Sequence, residues 1–110
     1  MMKNYDVAII GAGPAGLFAA DYILKNSNKA TVALIDKGKA VEARQCCDNC
    51  CICVEKDRCS VLCGVGGSGL FSDGKLVLNL HSGGTLDAVS VVTEKKRREL
   101  IETIVGTLRK

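Results

Sequence analysis

Three glycines with the spacing G-x-G-x-x-G, close to the start of the chain, constrain its fold more than any other feature. They follow a short β-prone apolar run, residues 5–10, and precede a helix-prone run that begins at Leu17. A glycine-rich turn between a strand and a helix exposes the unpaired amides of the helix N-terminus to a phosphate group. The pattern therefore predicts a turn that binds a dinucleotide pyrophosphate, formed by Gly11, Ala12, Gly13, Pro14, Ala15 and Gly16.

Each position of this turn has a physical role. Gly11 allows a sharp turn out of the strand, and Gly13 lets the backbone approach the pyrophosphate because it has no side chain. Gly16 allows the helix to pack closely on the sheet. Pro14 suits the first helical turn, where its missing N–H would have no partner anyway.

An acidic residue completes the pattern at the end of the second predicted strand. Asp36 lies twenty residues after Gly16 and directly follows an apolar run, residues 32–35. At this spacing a carboxylate accepts hydrogen bonds from the hydroxyl pair of a ribose, and it repels a ribose 2′-phosphate, so NADP is disfavoured. The spacing does not separate FAD from NAD, and a glycine turn in an α/β domain without a ligand remains an alternative.

The remaining pattern predicts an α/β fold. Strands over 5–10 and 30–35, with a helix over 14–25 between them, form a parallel βαβ unit of the Rossmann-like, FAD- or NAD(P)-binding kind. One or two helical turns over 40–45, a strand over 75–80 and one or two helices from 86 to the end complete the predicted elements. Hydrophobic residues make up 47% of the chain but only 4% are aromatic, which is typical of an aliphatic parallel sheet.

Charge and hydropathy disfavour two kinds of partner. The net charge of +3 is too small to indicate nucleic acid, and the basic run Lys95–Arg98 adjoins Glu94 and Glu99, as on a solvated helix face. The apolar run over 7–20 is too short to span a bilayer and contains three glycines and a proline. No secretory signal is apparent, so we expect a cytoplasmic protein.

Seven cysteines lie within residues 46–63, where a reducing compartment favours metal ligands, redox groups or free thiols over structural disulfides. Cys47, Cys50 and Cys53 begin like a bacterial ferredoxin run, although the next cysteine comes after five residues and no proline follows it. We predict an iron–sulfur cluster held by Cys47, Cys50, Cys53 and Cys59. Zinc bound by the pairs Cys50–Cys53 and Cys59–Cys63 is one alternative, and a loop of free thiols is another.

Two blocks of the sequence resemble a known family. The first 36 residues resemble the N-terminus of flavin-dependent oxidoreductases of the two-dinucleotide-binding type, in which G-A-G-P-A-G at the start of the chain is typical of FAD. A second block, residues 63–76, resembles a block in a bacterial and archaeal family of FAD-dependent dehydrogenases. Residues 83–86 also fit the region after that block in the family. The resemblance extends over nearly the whole chain.

This resemblance implies FAD bound in extended form and a small-molecule redox substrate. Its cofactor-binding residues would be those of the first glycine turn, then Asp36 and Lys37, and a second glycine motif at Gly66, Gly67 and Ser68. Because family members are much longer, residues 1–110 would be an incomplete N-terminal FAD-binding domain with a cysteine-rich loop at 44–63. The missing C-terminal remainder would complete the oxidoreductase, and the 110 residues alone would be inactive.

Two other functions remain open at this stage. One is a cysteine-rich module that binds a metal or an iron–sulfur cluster on a vestigial nucleotide fold. The other is a thiazole-synthase-like enzyme, a class that shares the N-terminal fold and a glycine-rich second loop. No residue is predicted to act as a catalytic acid or base, because the hydride chemistry of a flavoenzyme belongs to the flavin.

Overall fold

The computed structural model describes residues 2–45, 59–80, 82 and 91–109, and the chain divides into two compact units. The described residues of the first unit, Met1–Gly74, form two strands and one long helix: β1 (Val7–Ile10), α1 (Pro14–Asn26) and β2 (Val32–Ile35). Short 3₁₀ helices follow over Val41–Ala43 and Ser68–Phe71. The second unit, Lys75–Lys110, contains α2 (Glu94–Leu108).

The two strands pair in parallel, with Val7 opposite Val32 and Ile10 opposite Ile35. Residues just before the strands fix this register. The backbone amide and hydroxyl of Thr31 donate to the Asp6 carboxylate at 2.8 and 2.7 Å, and these bonds lower the pKa of Asp6. The predicted mixed α/β class, with a partial parallel sheet joined through a helix, is therefore confirmed.

The strands are shorter than predicted and the helix is slightly longer. Pairing begins at Val7 and Val32 because Asp6 and Thr31, just before them, direct their polar groups at each other. The helix continues one residue further than predicted, to Asn26, and residues 40–45 contain only the short 3₁₀ helix over Val41–Ala43.

The predicted strand over 75–80 is wrong. Residues 75–80 have no regular secondary structure, and Leu76, Val77 and Leu78 are exposed by 52%, 68% and 49%. An alternating run becomes a strand only when a neighbouring strand accepts and donates its backbone hydrogen bonds. Within the described residues the sheet contains only β1 and β2, so this segment has no strand to pair with.

Helix α1 packs on one face of the sheet. Val7 and Ile9 of β1 are half-buried, whereas Ala8 and Ile10, which alternate with them, are exposed. The helix approaches so closely that a Cβ on Gly16 would lie 3.3 Å from Cγ2 of Ile9. This packing fixes the start of α1 directly above the carboxyl end of β1, where the candidate site lies.

Helix α2 is an amphipathic surface helix, as the sequence predicts. The Thr93 hydroxyl caps its N-terminus by accepting from the Lys96 amide, and Arg98 pairs with Glu94 at 2.6 Å. The apolar stripe is half-buried at four positions, Leu100, Ile101, Ile104 and Val105, whereas Leu108 is exposed. Residues 86–90, where the predicted helix begins, lie outside the described residues. Neither α1 nor α2 combines the length and apolarity needed to cross a membrane, and the described residues contain no other candidate.

Candidate functional site

The first glycine turn is built as tightly as its sequence predicts. The Gly11 amide donates to the Ile35 carbonyl at 2.7 Å, and Gly11 then leaves the strand with a φ of 101° that favours glycine. A Cβ on Gly16 would collide with the Gly11 carbonyl oxygen. Glycine at position 16 is therefore required for the turn itself, in addition to the packing of α1 on the sheet.

The same turn leaves space above its backbone. A Cβ at Gly11 would have no atom within 4 Å, and one at Gly13 would meet only the Cα of Gly67, at 3.9 Å. Gly13 is the N-cap of α1, no side chain caps the helix, and its first turn contains no acidic residue. The positive end of α1 therefore faces an open space without a carboxylate from its own first turn, which suits an anion.

The second glycine motif lies against the first. The Gly66 amide donates to the Ala12 carbonyl at 2.8 Å. A Cβ on Gly67 would lie 3.1 Å from the Cα of Gly13 and 3.2 Å from Cδ of Pro14. The structure thus brings Gly66 and Gly67 to the residues of the first turn, while Ser68 begins the exposed 3₁₀ helix beyond them.

Alanine in place of Gly67 is expected to destabilise the first unit more than alanine in place of Gly74. Both glycines have positive φ, 60° and 76°, and a sparsely populated backbone conformation of this kind costs an L-residue about 1–3 kcal/mol. The ψ of −163° at Gly67 makes that position almost exclusive to glycine. Only Gly67 adds crowding, because a Cβ on Gly74 has nothing within 4 Å. Urea unfolding of the two variants measures the difference, and equal losses would show that the contact between the glycine turns is not tight.

Asp36 holds three backbone segments together. Its Oδ2 accepts from the Ala12 amide at 2.8 Å, its Oδ1 accepts from the Gly38 amide at 2.8 Å, and the Gly64 amide also donates to it. These bonds, that of Ala12 first, lower the pKa of Asp36. A carboxylate has about four acceptor positions, so roughly one remains for a further donor.

Asp36 also lines a groove at the carboxyl ends of the strands. The groove has a volume of about 440 Å³, and it is lined by Ile10, Gly11, Ile35, Asp36, Lys37, Leu62 and Cys63. Ligands of open parallel α/β sheets bind at this edge. Asp36 and Lys37 therefore lie at the edge of the sheet where the sequence predicts a ribose-binding site. The Lys37 side chain is exposed.

The stability of the first unit is expected to fall as the pH falls through the lowered pKa of Asp36. A depressed carboxyl pKa contributes stability above the unfolded value of about 3.9, and this contribution is lost below it. Asp36→Asn removes the contribution of this carboxyl to the pH dependence of the unfolding free energy. Asp21→Asn, at an exposed side chain of α1, serves as the control. Unfolding midpoints between pH 6 and pH 2 test this, and identical acid profiles for Asp36→Asn and wild type would contradict it.

Sequence reasoning missed two further glycines at the site. A Cβ on Gly38 would collide with the Gly64 amide nitrogen, and Gly64 has a φ of 114°. The segment after β2 therefore touches the start of the second glycine loop. One local signal was available, because an aspartate followed two residues later by a glycine favours the Asx turn seen between Asp36 and Gly38.

Arg44 was also missed, although it is almost completely buried, with 5% exposed. Its Nε, Nη2 and Nη1 donate to the carbonyls of Ser60, Val61 and Val65 at 2.8, 2.7 and 2.6 Å. Its guanidinium carbon lies 4.9 Å from the centre of the Phe71 ring. Arg44, at the start of the cysteine-rich loop 44–63, thus bonds to the end of that loop and to the second glycine loop.

Of the four predicted ligands of the iron–sulfur cluster, the structure describes Cys59. Cys47, Cys50 and Cys53 lie outside the described residues. Cys59 is a half-buried free thiol, and the Cys63 amide donates to its carbonyl at 2.8 Å, within one turn of chain. No group of three or more metal-ligating side chains comes together among the described residues. The iron–sulfur and zinc hypotheses therefore stay predictions.

Comparison with known proteins gives one short similarity. No protein-family model matches the chain, and no solved structure matches it significantly. The chain is 64% identical over 36 residues to an uncharacterized protein of Methanosarcina barkeri. The match covers 33% of this chain and only 9% of the relative, so the chain matches a small part of that protein's length. This similarity carries no functional assignment.

Proposed function

We propose that the first unit binds the diphosphate and adenosine ribose of FAD, as the dinucleotide-binding segment of a flavin-dependent oxidoreductase. One observation carries this proposal. The backbones of two glycine turns meet at the N-terminus of α1, where Gly13 and Gly67 approach each other and the Gly66 amide bonds to Ala12. Such a meeting of glycine backbones at a helix N-terminus is suited to a diphosphate.

The open side of the turn supports a phosphate there. The spaces that a Cβ would occupy at Gly11 and Gly13 are nearly empty, so a phosphate oxygen can approach the backbone. The first turn of α1 has neither a side-chain cap nor an acid, so the helix dipole and the first amides, which lack intrahelical partners, attract such an anion. The Asp36 carboxylate is bonded to the Ala12 amide, just before this turn. The chain's residues therefore fit a dinucleotide diphosphate.

Asp36 supports an adenosine ribose beside that diphosphate. Asp36 lines the groove next to Gly11, and about one acceptor position of its carboxylate remains for a ribose hydroxyl. The lowered pKa keeps the carboxylate charged at neutral pH, so a ribose 2′-phosphate is repelled. The choice of FAD over NAD depends on the likeness of residues 63–76 to a block in FAD-dependent dehydrogenases. FAD, when bound, supplies the hydride chemistry, and the chain supplies position and electrostatics.

A comparison of three ligands tests the proposal on the 110-residue chain. FAD, ADP and FMN are each titrated into the protein, with binding followed by calorimetry and, for the two flavins, by fluorescence. FAD and ADP share the diphosphate and adenosine ribose, whereas FMN has a single phosphate and no adenosine. We expect FAD and ADP to bind and FMN to bind far more weakly.

Two results would count against this function. Equal affinity for FAD and FMN would mean that the chain does not recognise the diphosphate and adenosine. An absence of binding for both FAD and ADP would mean that the glycine turns have only a structural role.

A further inference from the structure

We propose that Arg44 is a positioning residue, which holds the second glycine loop against the first and thereby sets the affinity for a diphosphate. This inference deepens the proposed function and rests on it for the ligand. No local pattern in the sequence marks Arg44, and it lies outside both glycine motifs. Its role follows from a continuous path of hydrogen bonds between them.

The path has two steps. The Arg44 Nη1 donates to the Val65 carbonyl at 2.6 Å, which is the peptide oxygen immediately before Gly66. The Gly66 amide, part of that same peptide group, donates to the Ala12 carbonyl of the first turn at 2.8 Å. The peptide group between Val65 and Gly66 is thus bonded to Arg44 through its oxygen and to the first glycine turn through its amide.

The second loop is also shaped around the arginine stem. A Cβ on Gly64 would lie 2.9 Å from Cδ and 3.1 Å from Nε of Arg44, so only glycine allows this approach. Gly66 is near as well, because its Cβ would lie 3.5 Å from Nη1 of Arg44. The backbone from Gly64 to Gly66 therefore packs directly on the guanidinium.

The geometry requires arginine rather than any cation. Three donors of one planar group reach three different carbonyls, and the plane lies near the ring of Phe71. A lysine has a point-like ammonium on a flexible stem and does not reproduce this fork. Replacement of Arg44 by lysine is costly because the site is buried. A buried cation that loses hydrogen bonds cannot replace them with bonds to water.

The test uses the ¹⁵N-labelled 110-residue chain with Arg44→Lys and Arg44→Met. Arg98→Met is the matched control, since Arg98 is an exposed arginine of the second unit paired with Glu94. Three quantities are measured: the dissociation constant for ADP, the solvent exchange of the Gly66 amide, and the α1 and β-strand amide shifts that report the fold.

We expect Arg44→Lys to retain the α1 and strand signals and to bind ADP about tenfold more weakly, the loss equivalent to one charge-assisted hydrogen bond. Its Gly66 amide exchanges faster than in wild type, because the peptide has lost its second anchor. Arg44→Met shows the same changes or larger ones. Arg98→Met matches wild type in all three measurements.

Unchanged ADP affinity and Gly66 exchange in Arg44→Lys would overturn the proposal. If both Arg44 variants unfold, the wild type still decides, because the Arg44 Nε–H is itself observable. Slow Nε–H exchange matching that of Gly66 supports the coupling, and fast Nε–H exchange beside a protected Gly66 refutes it. If wild type binds no ADP, the proposed function fails, and the affinity part of this proposal fails with it. The exchange of the Gly66 amide in the Arg44 variants still decides whether Arg44 positions the second glycine loop.

Discussion

Replacement of Gly16 by alanine is expected to destabilise the first unit by about 3 kcal/mol, the upper end of what overpacking usually costs. The added Cβ would collide with the Gly11 carbonyl oxygen, which is backbone and cannot rotate away. The turn would have to open, and the hydrogen bond from the Gly11 amide to Ile35 would be strained with it. Urea unfolding followed by the strand and α1 amide signals measures the loss.

Gly106→Ala provides a matched control for this change. Gly106 is also a helical glycine, in α2, but a Cβ there has no atom within 4 Å. Alanine in an open helical position is expected to stabilise its helix by about 1 kcal/mol relative to glycine. Opposite signs for the two substitutions support the packing described for the first turn, whereas similar small effects would contradict it.

Replacement of Gly13 by alanine is expected to separate binding from folding. Gly13 has an extended backbone, with φ −74°, and an added Cβ meets only the Gly67 Cα at an ordinary contact distance of 3.9 Å. The fold therefore tolerates alanine, but the methyl group occupies the space required by a phosphate. We expect ADP affinity to fall about 100-fold, the equivalent of two charge-assisted hydrogen bonds, with little change in stability.

Calorimetric titration of ADP and urea unfolding, carried out on the same Gly13→Ala sample, check both parts of this prediction. Gly106→Ala is again the control, and its ADP affinity is expected to equal that of wild type. If Gly13→Ala bound ADP as well as wild type does, the space above Gly13 would not be the phosphate position.

Local sequence signals were sufficient for the first turn and its neighbours. Proline at the first helical position, glycines before it and a β-prone run ahead of them together predicted β1, the turn and α1, because these signals lie in consecutive residues. The spacing also placed Asp36 correctly at the end of β2. The spacing did not reveal that backbone amides donate to most of the acceptor positions of the Asp36 carboxylate.

The features that were missed depend on contacts distant in sequence. Arg44 bonds to carbonyls 16, 17 and 21 residues away. Because every residue has a backbone carbonyl, the sequence does not show which residues accept these bonds. The contact of Gly38 with Gly64 was hidden for the same reason. The predicted strand over 75–80 was wrong because an alternating pattern of polarity does not show whether a neighbouring strand is present to pair with it.

The central claim is that the N-terminus of α1, with the second glycine loop packed against it, holds a diphosphate. The most direct measurement is an amide chemical-shift map of the ¹⁵N-labelled chain as ADP is added, with AMP added to a second sample. We predict the largest shifts for ADP at Gly13, Ala15, Gly16, Gly66 and Gly67, and much smaller shifts for AMP. Shifts confined to other residues, or identical for ADP and AMP, would contradict it.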